Sequence, residues 1–266
     1  MTAPDPEPAP SAPGGQPGTQ TLIRGLRVLE ALTAQDRPVG VGELSRMLDL
    51  PKSTVQRLLR TLDQEGWAQT SDDAVTRWQL SPRLFALARQ DTLSASLRDV
   101  AMPHLRALGE RSGETIHFSV LDRDVQLVLI ERVDSVHPVR TFNAIGATTA
   151  LHTSCSGKAV LAMLPHARVE EILARPLEKV MPNTSVDPQH LMHQVLEARE
   201  RGYAVNISEN RAGVCAVGAA VADDSGRPIA AVAISMPDTR FDAGRVPEWG
   251  AWVRSTARAI TGALSR

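Results

Sequence analysis

The apolar positions between residues 21 and 80 follow the repeat of an α-helix in three short stretches. The first predicted helix ends at 37–38, and a second, shorter helix is followed by a break at 49–51. Proline is tolerated where a helix starts, so a third helix is expected directly after this break. The residues predicted to face inward are, helix by helix, Leu22, Leu26, Leu29 and Leu32; Leu44, Met47 and Leu48; and Val55, Leu58, Leu59 and Leu62.

A β-hairpin and a long helical stretch are predicted next. Two short apolar segments within 67–80 flank a turn at 71–73, a pattern typical of a hairpin. From 82 to 111 the helical repeat returns, and its length suits a connector that pairs with a second copy of the chain. The face expected to make this contact carries Leu93, Leu97, Ala101, Leu105 and Leu108.

Beyond Gly113 the pattern alternates between strands and helices. Strands are predicted at 115–120, 125–132, 139–144, 214–222 and 229–235. An acidic turn that contains glycine joins the last two strands and indicates a hairpin. Helices are predicted at 157–164, 166–174, 188–201 and the end of the chain. The apolar face of the last helix is formed by Val246, Trp249, Val253, Ile260 and Leu264.

The composition indicates a folded chain with a short non-globular start. Of 266 residues, 42% are hydrophobic, which is enough for a substantial core. Residues 1–20 contain six prolines and three glycines and are predicted to form a disordered tail. Two cysteines exclude a disulfide scaffold, and no stretch resembles a signal peptide or a membrane span. A cytoplasmic protein is therefore expected.

Three short helices and a hairpin, with a tight break before the third helix, are typical of a winged helix-turn-helix, whose third helix enters the major groove. The net charge of −1 gives no overall attraction to nucleic acid, but residues 51–60 carry three cations and no anion. We therefore predict DNA contacts from the third helix, the first helix and the wing. The predicted contact residues are Lys52, Ser53, Thr54, Gln56, Arg57, Arg60, Arg24 and Arg77.

The same helix face is open to a plainer interpretation. Residues 21–80 contain eight basic and eight acidic side chains, so the face is also compatible with an ordinary solvated surface. The segregation of positive charge to one helix favours nucleic acid.

Stretches in both halves of the chain, in the same order, resemble a known family. The letters LIRGLRVL at 22–29 and PKSTVQRLLRTL at 51–62 resemble the N-terminal signature of the isocitrate lyase regulator (IclR) family of bacterial transcription factors. Further along, HTSCSGKAVLA at 152–162 and the strand pair at 214–237 resemble the C-terminal domain of that family. The resemblance covers almost everything after the predicted tail.

The resemblance implies an α+β protein in three parts. These are a winged helix-turn-helix at 21–81, connector helices at 82–112, and a GAF-like effector domain at 113–266, an antiparallel sheet with helices on its faces. The effector contacts implied by family position are Cys155, Ser156, Asn206, Ala216, Ala233 and Ser235. Asn206 stands where relatives carry an acidic residue. The family's cysteine sits one residue earlier, at Cys215, so Ala216 occupies its usual place.

A cluster of small polar side chains independently suggests a ligand site. Residues 153–156 directly precede the predicted helix at 157–164, where unpaired amides near Gly157 and the positive end of the helix dipole attract a carboxylate. Serine is also a common helix cap that needs no ligand, and this alternative stays open. With apolar walls and Lys158 as the nearby cation, a short or small aromatic carboxylic acid is expected rather than a sugar phosphate.

Other chemistries fit the sequence less well. The segment 152–158 lacks the first glycine of a phosphate loop and the hydroxyl that should follow it. His190 and His193 lack further ligands nearby, so no metal and no other cofactor is expected. A hydrolase that uses Cys155 and His152 would by itself leave the winged helix unexplained. The alternative that stays open is a small-molecule enzyme, a Cys155-dependent hydrolase, with an accessory DNA-binding domain. A scaffold that binds partners through the connector would need no small-molecule site.

Together these observations predict a transcription factor that is not an enzyme. It is expected to bind a pseudo-palindromic, double-stranded operator as a homodimer or homotetramer, with no membrane partner. A small-molecule effector must bind two conformations with different affinity if it is to alter DNA binding. The sequence leaves open the identity of the effector and whether the protein represses or activates transcription.

Overall fold

The computed structural model divides the chain into two compact units, residues 1–91 and 92–266. Each unit has its own hydrophobic core. The first helix begins at Pro17, inside the stretch predicted to be a tail, and most of that prediction falls outside the described residues. The residues that the structure describes are 17–35, 37–71, 75–88, 92–123 and 125–265.

The described residues of the N-terminal unit form three helices, a small hairpin and one further short helix. Its elements are α1 (Pro17–Thr33), α2 (Val41–Leu48), α3 (Lys52–Gln64), β1 (Ala68–Thr70), β2 (Trp78–Leu80) and α4 (Arg83–Ala88). Strands β1 and β2 pair antiparallel, with Ala68 opposite Leu80, and Val39 forms a bridge to Trp78. This is the predicted helix-turn-helix with its wing, although the middle of the predicted turn, at 72–74, lies outside the described residues.

The core of this unit lies where α1, α2 and α3 meet. Its buried residues include Val28, Leu32, Leu44, Val55, Leu58 and Leu59. The inward face predicted for α3 is confirmed, with Leu62 half-buried. Three other predicted core residues are wrong, because Leu22, Leu26 and Met47 are 64%, 50% and 48% exposed. The fully buried residues of α1 all lie in its second half, so leucines near its start have nothing to pack on within this unit.

The C-terminal unit is built on one six-stranded antiparallel sheet in the order β5-β4-β3-β8-β7-β6. Its first half contains α5 (Thr92–Ser112), β3 (Thr115–Asp122), β4 (Gln126–Val133), β5 (Thr148–Ala150), α6 (Cys155–Met163) and α7 (His166–Leu173). Its second half contains α8 (Pro188–Arg201), β6 (Ala204–Ile207), β7 (Val214–Ala222), β8 (Pro228–Pro237) and α9 (Val246–Leu264). The α+β architecture predicted for the chain is confirmed.

Helices cover both faces of the sheet. Helices α5 and α9 pack on one face, and α6, α7 and α8 pack on the other. Of the stripe predicted to pair with a second copy, Leu97, Ala101, Leu105 and Leu108 are buried within their own chain and are not free for such a contact. The side chain of Leu93 lies outside the described residues. The described part of the stretch predicted as connector helices contains α4, which ends at Ala88, and α5, which begins at Thr92. Residues 89–91 lie outside the described residues.

Two segments of the sheet differ from their predictions. No strand forms at 139–144, where Val139 and Phe142 are exposed and Thr141 is buried. A strand forms just after it, as β5, which pairs with β4. Strand β6, only four residues long, was not predicted. An alternating pattern reveals that a segment is suited to a strand, but not whether a partner strand lies beside it.

No helix in the described part of the chain is both long and apolar enough to cross a membrane.

Candidate nucleic-acid interface and ligand cavity

The exposed face of α3 carries three cations. Lys52, Arg57 and Arg60 are exposed, whereas the opposite face of the helix is buried in the core. Among the described residues of this unit, the ion pairs are those of Glu43 with Arg37 and Arg77, so the three cations of α3 stay available to an external anion. The N-cap residue of α3, Pro51, forms no side-chain cap, which leaves the first amides of the helix free as well.

The remaining predicted DNA contacts differ in their exposure and in whether they already pair with another residue of the protein. Ser53 and Gln56 are exposed on α3, and Thr54 is half-buried beside them. Arg24 is exposed on α1. Arg77, at the start of β2, lies 3.6 Å from a carboxylate oxygen of Glu43 and donates a hydrogen bond to the carbonyl of Pro38. A phosphate would therefore compete with Glu43 for the Arg77 guanidinium.

A cavity in the C-terminal unit lies between the sheet and the start of α6. Its free volume is about 70 Å³. Five of the six residues implied by family resemblance line it: Cys155, Ser156, Asn206, Ala216 and Ala233. Ser235 is not among the lining residues. Its carbonyl accepts a hydrogen bond, 3.3 Å long, from the hydroxyl of Thr141, which does line the cavity.

The start of α6 differs from the prediction. The helix begins at Cys155 and is capped by Ser154, whose hydroxyl accepts the amide of Gly157 at 3.1 Å. A Cβ atom at Gly157 would lie 2.1 Å from the carbonyl oxygen of Leu151, so this position is packed against backbone. The amide of Gly157 is therefore already bound, and the residues of the helix start that line the cavity are Ser154, Cys155 and Ser156. Ser154 thus acts as a plain helix cap, which was the alternative to a ligand contact. The cavity lies beside the first turn of the helix.

Asn206 and Glu209 connect the loop after β6 to the segment before α6. The amide of Asn206 donates to the carbonyl of Thr153 at 2.7 Å, and its oxygen accepts the backbone N–H of Glu209. The carboxylate of Glu209 in turn pairs with Lys158, whose Nζ atom is 2.6 and 2.5 Å from the two oxygens. Lys158 is thus neutralised by Glu209 and supplies no free charge for a ligand.

His117 lies in the cavity wall with an unused polar atom. Its neighbours Ile116 and Phe118 point into the core on the α5 and α9 side of the sheet, so the imidazole points to the opposite, cavity side. The side chain is buried, and within the described residues its Nε2 atom has no hydrogen-bond partner. Burial, assisted by the charge of Arg132, lowers the pKa of His117 to about 4, so the imidazole is uncharged at neutral pH.

Two arginines hold the loop that borders the cavity. Arg211, exposed and part of the cavity lining, donates to the carbonyl of Phe142 at 2.6 Å. Arg132 donates to the carbonyl of Asn143 at 2.5 Å and stacks over the ring of Phe142. The loop is the segment that was predicted to be a strand. These contacts fix Thr141 and Asn143 in the cavity wall.

The geometry around Cys155 does not suit a nucleophile. Burial raises the pKa of the Cys155 thiol to about 12, so the thiolate needed for attack is scarce at neutral pH. The ring of His152 is engaged elsewhere, because its Nε2 lies 2.9 Å from the carbonyl of Glu178. No cluster of three potential metal ligands occurs in the part of the chain that the structure describes.

Several cavity residues were missed by sequence reasoning. His117, Ser119 and Arg211 carried no motif and were not predicted. One signal was present, since His117 and Ser119 are polar residues that alternate with the apolar Ile116, Phe118 and Val120. Alternate positions of a strand share a face, so two polar residues there indicate a polar cavity rather than a dry core.

Comparisons with known proteins agree across almost the whole chain. The family profile described as "Bacterial transcriptional regulator IclR C-terminal" matches residues 90–262, and the profile "IclR helix-turn-helix domain" matches residues 21–72. The transcriptional repressor IclR of Escherichia coli strain K12 is 34% identical over 244 residues, which cover 91% of this chain and 89% of that protein.

Two further relatives extend the comparison. The HTH-type transcriptional repressor AllR of Escherichia coli strain K12 is 32% identical over 258 residues, or 97% of this chain and 94% of the relative. A crystal structure of an IclR homolog complexed with 4-hydroxybenzoate, from Microbacterium hydrocarbonoxydans, is similar with a TM-score of 0.75 and 26% identity. The match covers 92% of this chain and 99% of that structure.

Proposed function

The chain belongs to the IclR family of bacterial transcriptional regulators, and from this premise we propose that it is a repressor whose operator binding is altered by a small organic acid. Helix α3 reads a pseudo-palindromic operator in the major groove. The acid occupies the cavity beside α6. The protein acts without catalysis, in the cytoplasm where its operator lies.

The observation that carries the proposal is the set of unpaired cations on α3. Lys52, Arg57 and Arg60 lie on an exposed helix face and have no carboxylate partner among the described residues, which suits phosphate oxygens and the edges of guanine. Relatives named as repressors support the direction of regulation. Because basic and acidic residues balance in 21–80, one copy offers little non-specific attraction, so at least two copies must read two half-sites.

The cavity supports an acidic effector. Its lining contains the guanidinium of Arg211 and no aspartate or glutamate among the described residues. A carboxylate would therefore meet one positive charge and no negative one. The related structure complexed with 4-hydroxybenzoate also supports an organic acid as the ligand class. Such an acid changes operator binding only if it binds one conformation of the protein more tightly than another.

Replacing Arg57 tests the DNA-binding part of the proposal. Selection from random duplex DNA with the full chain first defines an operator sequence. We expect Arg57→Ala to weaken binding to it by about 1–3 kcal/mol per half-site, because a base or phosphate contact is lost. Gel-shift titrations at one fixed salt concentration measure this loss.

Arg227→Ala is the matched control, because it removes the same charge from an exposed turn in the C-terminal unit. Its operator affinity should stay close to that of the wild type. Unchanged affinity of Arg57→Ala, or an equal loss in both variants, would contradict the assignment of α3.

A further inference from the structure

We propose that His117 selects the effector, by forming a hydrogen bond with a hydroxyl or keto oxygen that the acid carries in addition to its carboxylate. This inference rests on the proposed function, in which a carboxylic acid occupies the cavity beside α6. It adds a second recognition point in the wall of the cavity, besides Arg211. The expected ligand class is therefore a substituted carboxylic acid rather than a plain one.

The first argument is the unpaired nitrogen. His117 is only 9% exposed, it lines the cavity, and its Nε2 atom has no partner among the described residues. Buried polar atoms in proteins are nearly always hydrogen-bonded, to protein, water or ligand. The β3 backbone directs this side chain to the cavity, because the residues on either side of it are packed into the opposite core.

The second argument is the division of charge within the cavity. Arg211 is exposed and positively charged, and it is the one cationic residue among the described lining residues. His117 is uncharged at neutral pH because burial and Arg132 lower its pKa to about 4. The carboxylate of a ligand is therefore attracted to Arg211. A neutral imidazole suits a neutral hydroxyl or keto oxygen, to which it donates or from which it accepts one hydrogen bond.

The third argument is size. The free volume of about 70 Å³ is less than half of the roughly 150 Å³ of an engineered cavity that holds benzene. A three-carbon acid fits this space more readily than an aromatic one. The matched pair of probes is therefore lactate and propionate, which have the same carbon chain and differ by one hydroxyl group. Benzoate and 4-hydroxybenzoate form a second pair that differs in the same way.

Calorimetric titration of the full-length protein with each pair tests the inference. In the wild type we expect the hydroxylated acid to bind about tenfold more tightly or better, because the plain acid leaves the His117 nitrogen unpaired. In His117→Phe the ratio should fall to about one, while the affinity for the plain acid changes by less than about threefold. His117→Gln restores a hydrogen-bonding group and should recover part of the preference.

Two further variants separate the preference for the hydroxylated acid from changes in overall acid affinity and in protein stability. Arg211→Gln should weaken both members of a pair by the same factor, because it removes the charge that attracts the carboxylate. Phe118→Leu alters the neighbouring residue of the same strand but on the opposite face of the sheet. It should leave the ratio unchanged even if it lowers the melting temperature.

The outcomes distinguish this inference from the proposed function. If the hydroxylated acids keep their advantage in His117→Phe, or have none in the wild type, the inference is wrong while the acid-binding cavity stands. The second result is also the one expected if Nε2 holds only a buried water. If no acid of either pair binds the wild type, the effector part of the proposed function fails, and the inference fails with it.

Discussion

At the scale of single residues, the buried ion pair of Lys158 and Glu209 stands out. It ties the second turn of α6 to the loop after β6, and both side chains are buried. Removing charges from water is costly, so such a pair is stable only while both partners are present. Glu209 lies in the loop between Asn206, which is in β6, and Arg211, and both of these residues line the cavity. The pair therefore holds one wall of the cavity in place.

We expect Lys158→Met to lower the free energy of unfolding by about 3–5 kcal/mol, because it leaves the Glu209 carboxylate buried without a partner. Urea denaturation followed by circular dichroism measures the change. The double variant Lys158→Met/Glu209→Leu removes both charges and should recover most of the loss. A single variant as stable as the wild type, or a double variant no better than the single one, would refute this account.

At the scale of elements, two glycines of α9 should respond in opposite ways to the same substitution. A Cβ atom at Gly250 would lie 2.3 Å from the ring of Tyr203, whereas one at Gly262 would meet no atom within 4 Å. We expect Gly250→Ala to destabilise the protein by about 1–3 kcal/mol through overpacking. Gly262→Ala should stabilise it by up to about 1 kcal/mol, because alanine is the better helix former.

Thermal unfolding of the two glycine variants beside the wild type checks the expectation. Each serves as the control for the other, since both make the same change in one helix. A Gly250→Ala variant as stable as Gly262→Ala would mean that Tyr203 moves aside easily and that the close approach of α9 costs little.

Whether the sequence predicts an element depends on how much of its environment is local. Helix α3 and strands β7 and β8 were predicted well, because a long apolar repeat and clear turn signals bound each of them. The segment at 139–144 was wrongly predicted to be a strand. The carbonyls of Phe142 and Asn143 accept hydrogen bonds from Arg211 and Arg132 rather than from a neighbouring strand. The first turns of α1 show the same limit. Leu22 and Leu26 follow a helical repeat but are exposed, because the repeat alone does not show whether other helices of the unit reach far enough to cover them.

The candidate cavity was predictable only in part, and for a related reason. Cys155, Ser156 and Asn206 were found because they lie in or near stretches that resemble the family. His117 and Arg211 come from β3 and from the loop before β7, far apart in the chain, and carry no shared motif. Only the folded sheet brings them to one cavity.

At the scale of the whole molecule, the two separate cores predict independent folding. The clusters on both faces of the sheet contain only residues of 92–266, and the cluster of the N-terminal unit contains only earlier ones. A unit of this size buries enough surface to fold alone. We expect a fragment of residues 92–266 to unfold in one cooperative transition, and Lys158→Met to destabilise it as much as it destabilises the full chain.

Chemical denaturation of the fragment, with and without that substitution, provides the measurement. A broad, non-cooperative transition would show that the C-terminal unit needs residues 1–91 to fold. A smaller effect of Lys158→Met in the fragment would show that the two units share stability.

The strand order of the sheet also determines how long one edge of β3 stays unpaired during synthesis. Strand β3 lies between β4, made directly after it, and β8, made near the end of the chain, with Thr115 opposite Ser235. At about 5–20 residues per second, roughly 5–20 s pass on the ribosome between the synthesis of β3 and that of β8. During that interval one edge of β3 has no native partner, whereas the N-terminal unit is already complete. An unpaired edge invites wrong pairing, so we expect misfolding of the nascent chain to begin most readily in the interval before β8 emerges.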